Sequence, residues 1–375
     1  MTEPAPESTW KQEGQVKFQV GTAFYRDYSR LSRDLAVLAA TIYRQRQRQL
    51  RVLDAMSGCG VRALRYGVEA GADFIWANEA NPDQLPQLTH NLGAHLPHDR
   101  HRITQQDASC LFFHCHQQQD YYDIVDVDSF GAATPYVNTS LWAVRLGGLI
   151  YLADTDSRTS SGHNPEHAIA AYGAYPRLHP AFPEQGLRIL IGAIWQQAAA
   201  RGFGIQPIFS LFHDGICRVM VQLVPKFSRN LADYGYLAYC PDCGDYQRAN
   251  WRRLSRTWCQ YHDEPRPMVL SGPMWLGPLH DRLWVETMRA IAQDWGWSSQ
   301  AELLSHMAAE ARMPPWYYPL GEIGRHLNGD LPRRDRLLEI LSQVGYAVSR
   351  TAIDAQAIKT TAPLPICVEL LRQAD

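Results

Sequence analysis

The 375-residue chain has no run of about 18 consecutive apolar residues, so no membrane-spanning helix is expected. Its opening decapeptide, MTEPAPESTW, is acidic and Pro-rich. It lacks the basic-then-apolar order of a secretory leader and the Arg-rich pattern of a transit peptide, so a cytoplasmic protein is expected. No repeat and no low-complexity tract is visible. There is no strong charge of either sign: the net charge is −2. Composition therefore does not announce a nucleic-acid partner, although phosphate contacts depend on local patches and RNA stays possible. The basic runs Arg44–Arg51 and Arg252–Arg256 read first as solvated helix faces. What is present is apolar content of 46%, ample for a core, at a length that implies two domains or three.

The first part alternates strands and helices. Leu50–Met56, Ala72–Ala80, Arg102–Asp107, Asp123–Asp128 and Gly147–Asp156 read as strands, the second ending near Glu79 and the third at Asp107. Helical stretches between them imply a doubly wound, mostly parallel sheet. Ile205–Phe212 and Gly215–Pro225 are separated only by a short polar turn, which predicts an antiparallel hairpin at the sheet edge. The expected division is an α/β sheet unit at residues 1–225 and a smaller unit at 226–375. The second begins with a Cys-containing module near residues 236–267, followed by a Pro/Gly/Trp loop and an α-rich tail.

Asp54 ends the first strand, and Gly58 and Gly60 form the turn before a helix. Glycines there allow close backbone approach to a ligand. Glu79 could hold ribose hydroxyls and Asp107 an adenine amine. The alternative for these acids is simple loop capping. The stretch Gly58–Ala63 also fits the loose G-x-G-x-x-G/A dinucleotide pattern. Asp54 argues against that, because a pyrophosphate would meet a like charge there, and the closing hairpin resembles that of class I methyltransferases, so S-adenosylmethionine is the expected cofactor. The fourth strand, DIVDVD, carries three acids where carboxylates are costly to bury. Asp123 is read as opening the strand, Asp126 as a structural acid bonded to backbone or arginine. Asp128 ends the strand in an Asp-x-Phe that resembles the strand-end motif of methyltransferases acting on base amines, which implies that it accepts a proton from such an amine; the alternative is an N-cap or turn former. Phe130 beside it could stack on an extruded base.

Eight cysteines occur, five of them scattered and expected to be reduced. Cys240-x-x-Cys243, fifteen residues, then Cys259-x-x-His262 is a zinc spacing with four soft or borderline ligands, read as a closed structural site. The loop that zinc would brace holds Arg248, Arg252, Arg253 and Arg256, a fair phosphate-binding surface.

Taken together, FYRDYSRLSRDLAVLAA, GAYPRLHPAFPEQGLRILIG, SGPMWLGPLHD and SRTAIDAQAIKTTAP resemble segments of the tRNA (guanine-N2-)-dimethyltransferase family across nearly the whole chain. The resemblance implies methylation of the guanine amine at tRNA position 26. It implies Asp128 as catalytic acid/base, with Phe130 and Phe24 flanking the base. Arg33, Asp54, Glu79, Asp107 and Ala108 would contact S-adenosylmethionine. Arg350 and Lys359 would help the second unit grip tRNA, with the protein a monomer. Departures stand at Arg26-Asp27, where the family has Asn-Pro, and at Ser129, where it has Pro. They leave open a second reading, a tRNA-binding protein or chaperone with degenerate catalysis. An NAD-dependent enzyme rests only on the glycine pattern.

Overall fold

The computed structural model describes residues 10–226, 231–327 and 333–374. Strands β1 (Trp10–Glu13) and β2 (Val16–Gln19) form an N-terminal hairpin, followed by helix α1 (Arg30–Gln47). The main sheet is built from β3 (Arg51–Asp54), β4 (Phe74–Asn78), β5 (His101–Thr104), β6 (Tyr122–Asp128), β7 (Val144–Asp154), β8 (Gly204–His213) and β9 (Ile216–Val224). Helices α2 (Val61–Val68), α3 (Leu85–His95) and α4 (Ala108–Gln117) carry the first crossovers. The strand order is β5-β4-β3-β6-β7-β9-β8. The first five of these run parallel, and β9 and β8 close the sheet antiparallel. Both faces of β3 and β6 are covered, which explains their near-continuous burial. The order reverses between β3 and β6, and open α/β sheets bind ligands at the carboxyl ends of strands flanking such a switch.

Two strand ends differ from the sequence reading. β4 stops at Asn78 and β5 at Thr104, so Glu79 and Asp107 stand in the loops beyond. Asp107 is the N-cap of α4, accepting from the backbone N–H of Ser109 at 2.8 Å and of Cys110 at 3.2 Å. The ladder ends at the Asn78–Thr104 pair, and beyond it Gln106 O accepts from the Asn78 side chain at 2.9 Å rather than from a neighbouring strand.

Beyond the sheet, the Pro/Gly/Trp stretch is not simply a loop. Val269–Trp275 is a strand paired with Tyr234–Tyr239, which pairs in turn with Tyr246–Ala249. It lies at the edge of that three-stranded sheet, where Pro273 removes no ladder bond that the sheet needs. The helix Phe182–Ala200 packs against this edge strand, and one apolar core runs from Leu187 and Ile191 through Leu237 and Met274 to Tyr317 and Leu341.

A buried ionic cluster joins the same two regions. Lys359 Nζ donates to Glu184 Oε1 at 2.6 Å, Arg188 donates to the same oxygen, and Glu310 lies 3.9 Å from Lys359 and 3.3 Å from His280. Lys359 is 1% exposed, so it cannot serve the RNA grip suggested for it. Arg350 is taken up by Asp335 at 2.8 Å. Among the described residues no helix is long and apolar enough to cross a membrane.

Candidate active site and metal centre

The turn after β3 is set by backbone bonds. Ala55 N–H donates to Asp126 O at 3.0 Å, Ser57 N–H to Asn78 O at 2.9 Å, and Gly60 N–H to Ser57 O at 2.8 Å. Gly60 has φ +84°, and a Cβ there would lie 2.6 Å from Leu88 and 2.7 Å from Leu92, both fully buried on α3. Gly58 has φ +53° but open space where its Cβ would be. The two glycines thus do different work: Gly60 lets α3 close on the turn, and Gly58 keeps room beside the backbone. Gly60→Ala is expected to lower the thermal unfolding midpoint clearly more than Gly58→Ala, whose folded-state cost is about 1–2 kcal/mol of backbone strain alone. Equal midpoints in a melting experiment would refute this division.

Above the turn lies a cleft of about 510 Å³, within the usual range for small-molecule sites. Its lining includes Arg33, Gly58, Glu79, Asp107, Ala108 and Asp128, with Phe24 and Phe130 at the mouth. Glu79 accepts from Gly58 N–H at 2.8 Å and from Asn81 N–H at 2.9 Å, which fixes its carboxylate at the rim. Arg33 is buried and pairs with Glu13, which also lies 3.3 Å from the fully buried Arg65. The N-terminal hairpin is thereby tied to α1 and α2.

Asp54 and Gly60 do not line the cleft. Asp54 is fully buried beneath its floor, and neither carboxylate oxygen has a hydrogen-bond partner among the described residues. Burial first, and then the charge of Asp126, push its carboxyl up to about 8. The acids that do line the cleft, Glu79, Asp107 and Asp128, suit a cationic ligand bearing hydroxyl or amine donors. S-adenosylmethionine meets that description, and Gly58, Glu79, Asp107 and Ala108 are the groups that would hold it.

The acids of β6 separate by depth. Asp123 is sealed at the strand's start, accepting from Tyr43 Oη at 3.0 Å, Arg51 N–H at 2.7 Å and Arg145 at 3.0 Å. Asp126 accepts from Tyr66 Oη at 2.7 Å and Arg62 at 3.3 Å, and burial raises its pKa. Asp128 has a side chain 31% exposed to the cleft. Burial acts to raise its pKa, but Arg62 and then Arg218 outweigh burial and hold the carboxyl below the usual carboxylate range. Both Arg62 bonds, at 3.1 and 2.8 Å, fall on Oδ2, which leaves Oδ1 for a substrate.

Phe24 and Phe130 are 60% and 74% exposed and meet edge to face with centroids 5.0 Å apart. Ser129 stands where proline would stiffen the loop. Here the stiffening comes from Gly131, whose N–H donates to Thr155 Oγ1 at 2.8 Å and whose carbonyl accepts from Thr155 N–H at 3.0 Å. Arg26, the other departure, lies 4.5 Å over the Phe24 ring and its carbonyl accepts from Arg33.

Arg62, Arg218 and Asn78 were missed in the sequence. Asn78 Nδ2 bridges the carbonyls of Ala55 and Gln106, at 3.1 and 2.9 Å, and so locks two ligand loops together. The one available signal for Arg62 was the surplus of acids on β6, which demands a buried cation nearby.

In the second region Cys240, Cys243, Cys259 and His262 converge, with their ligand atoms all within 4.8 Å of one another. Cys240 Sγ lies 3.2 Å from His262 Nε2 and Cys243 Sγ 3.5 Å from Cys259 Sγ. Three thiols and an imidazole at such separations fit a tetrahedral zinc. Arg252, Arg253 and Arg256 of the bracing loop are exposed. Arg248 instead donates to the carbonyls of Ala232 and Leu276, at 3.0 and 2.9 Å, and braces the loop's base.

A family model described as N2,N2-dimethylguanosine tRNA methyltransferase matches residues 7–372. A tRNA (guanine(26)-N(2))-dimethyltransferase of Thermococcus kodakarensis is 26% identical over 367 residues, 93% of each chain. One of Schizosaccharomyces pombe is 29% identical over 349 residues, 86% of this chain and 63% of that one. A solved structure of Trm1 from Pyrococcus horikoshii with S-adenosyl-L-methionine superposes with a TM-score of 0.83 at 25% identity. The match covers 96% of this chain and 99% of that chain.

Proposed function

The chain belongs to the N2,N2-dimethylguanosine tRNA methyltransferase family, an S-adenosylmethionine-dependent enzyme acting on the guanine amine of tRNA, and from that premise we propose how its residues divide the work. The substrate is guanine 26, as the relatives' names state for those proteins, and the products are the N2-methyl and N2,N2-dimethyl bases. Residues 1–225 carry the chemistry and 226–375 grip the tRNA, in the cytoplasm and as a monomer.

The observation that carries the mechanism is the state of Asp128. It is ionised, oriented by Arg62 through one oxygen, and open to the cleft through the other. An exocyclic base amine is a weak nucleophile because its lone pair is delocalised into the ring. Asp128 Oδ1 accepts its N–H, aims the lone pair, and takes the proton as the new C–N bond forms. S-adenosylmethionine, when bound, supplies the electrophilic methyl group. Phe24 and Phe130 offer apolar faces to a base withdrawn from the tRNA stack. One N–H survives the first transfer, so the same Asp128 geometry serves a second.

Nucleoside mass spectrometry of unmodified tRNA incubated with the protein and donor tests this. The expected result is N2-methylated guanosine confined to position 26. Donor and tRNA binding without product would favour a binding protein with lost catalysis.

A further inference from the structure

Arg218 sits on β9 with 2% of its surface exposed, yet it lines the cleft. Its Nε has no hydrogen-bond partner among the described residues, and the guanidinium's side-chain bond is a 3.3 Å contact from Nη2 to Ser29 Oγ. No described carboxylate lies within ion-pair distance of it. A buried guanidinium left this short of acceptors is expensive unless a ligand supplies one.

The sheet register says which ligand. Asp128 pairs with Ala153 on β7, and Ala153 pairs with Arg218 on β9. Directly opposed residues share a sheet face, so Asp128 and Arg218 point the same way from positions two strands apart, about 10 Å between backbones. Asp54 ends β3, and the donor-side residues Glu79 and Asp107 follow β4 and β5, all on the opposite side of Asp128 from β7 and β9. Arg218 therefore faces the acceptor, not the donor. Guanine carries its N2 amine and its O6 on the same edge, flanking N1–H. A carboxylate at one end of that edge and a guanidinium at the other match it donor to acceptor. Adenine, with an amine at C6, would set donor against donor.

We propose that Arg218 is a specificity residue that donates to O6 of the target guanine while Asp128 holds its N2 amine. The inference rests on the methyl-transfer reading above and goes beyond it by naming the contact that tells guanine from adenine.

The test is a substrate–enzyme cycle. The kcat/KM is measured on tRNA carrying guanine or 2,6-diaminopurine at position 26. The second base keeps the N2 amine and replaces O6 with an amine. Both substrates are given to the unaltered protein, to Arg218→Met and to Arg218→Lys, with donor affinity followed by calorimetry. The unaltered protein should prefer guanine, and Arg218→Met should shrink that preference roughly 10- to 100-fold. Arg218→Lys, which keeps a donor, should retain part of it. Donor affinity should stay within about threefold in both variants.

A preference unchanged in Arg218→Met overturns the proposal, as does loss of donor affinity confined to Arg218 variants that fold. A role in packing alone would depress both substrates equally. Should the unaltered protein fail to methylate the guanine tRNA, the methyl-transfer reading falls and takes this contact with it. Methylation without the substrate–enzyme coupling sinks only the contact.

Discussion

Asp128→Ala is expected to lower kcat for methyl transfer to tRNA by about 10²- to 10⁴-fold, with donor affinity little changed. Asp128 lines the cleft, and among the described residues its carboxylate is hydrogen-bonded only by Arg62, through Oδ2. Arg62 keeps Asp126 as a partner when Asp128 is removed, so the buried cation is not stranded and the fold should survive. Asp128→Asn should be nearly as slow, because an amide preserves shape but cannot take a proton. The depressed pKa of Asp128 is no obstacle. The amine turns strongly acidic as its nitrogen bonds carbon, so a weak base suffices once it is in place. The same depression sets the pH profile. A carboxyl held below its ordinary range stays in its basic form across neutral pH and loses that form only on acidification below the usual carboxylate range. The rate should therefore show no limb from Asp128 between about pH 6 and 8. Turnover by Asp128→Ala within threefold of the unaltered protein would remove Asp128 from the mechanism.

The parts of this site legible in the sequence were those fixed by local chemistry. Strand-end acids, paired glycines and Cys-x-x-Cys spacing are each written in a few adjacent residues, and the sheet follows from alternating periods. The strand limits at Asn78 and Thr104 were less legible, because a helix-capping Asp107 competes with strand continuation and the sequence carries both signals. Arg62 and Arg218 were invisible for another reason. Arg62 meets Asp128 only through elements 66 residues apart in the chain, and Arg218 reaches the cleft only through the pairing of β9 with β7. Lys359 shows the converse error. The family resemblance implies Lys359 as an RNA contact, yet two buried carboxylates, Glu184 and Glu310, claim it. Charge in the sequence says nothing about burial; the partner 175 residues away decides it.

Removing zinc should have the other large effect, and on a different readout. Among the described residues, the small cluster around the ligands comprises Ala238, Cys240, Ala249, Cys259 and Met268, apart from the larger core that takes up Leu237 and Tyr246. Two of these five are metal ligands, so the segment has little with which to hold itself folded once the metal is gone. In small zinc modules metal binding supplies about 10–16 kcal/mol of apparent free energy, and that binding energy is folding energy. Stripping the metal with a chelator, or replacing Cys259 by Ser, is therefore expected to expose residues 240–268 to protease and to lower the unfolding midpoint. The cleft is built from the N-terminal segment, the loops after β3, β4 and β5, the end of β6 and β9, none of them in the zinc module, so donor affinity should persist. tRNA affinity should fall, because Arg252, Arg253 and Arg256 lose the frame that presents them. Its dependence on salt should flatten by about one unit for each arginine that no longer neutralises a phosphate. Elemental analysis should find one zinc per chain before treatment. A metal-free protein that resists protease at residues 240–268 and binds tRNA as tightly, with the same salt slope, would show that the four ligands support neither the module nor the grip.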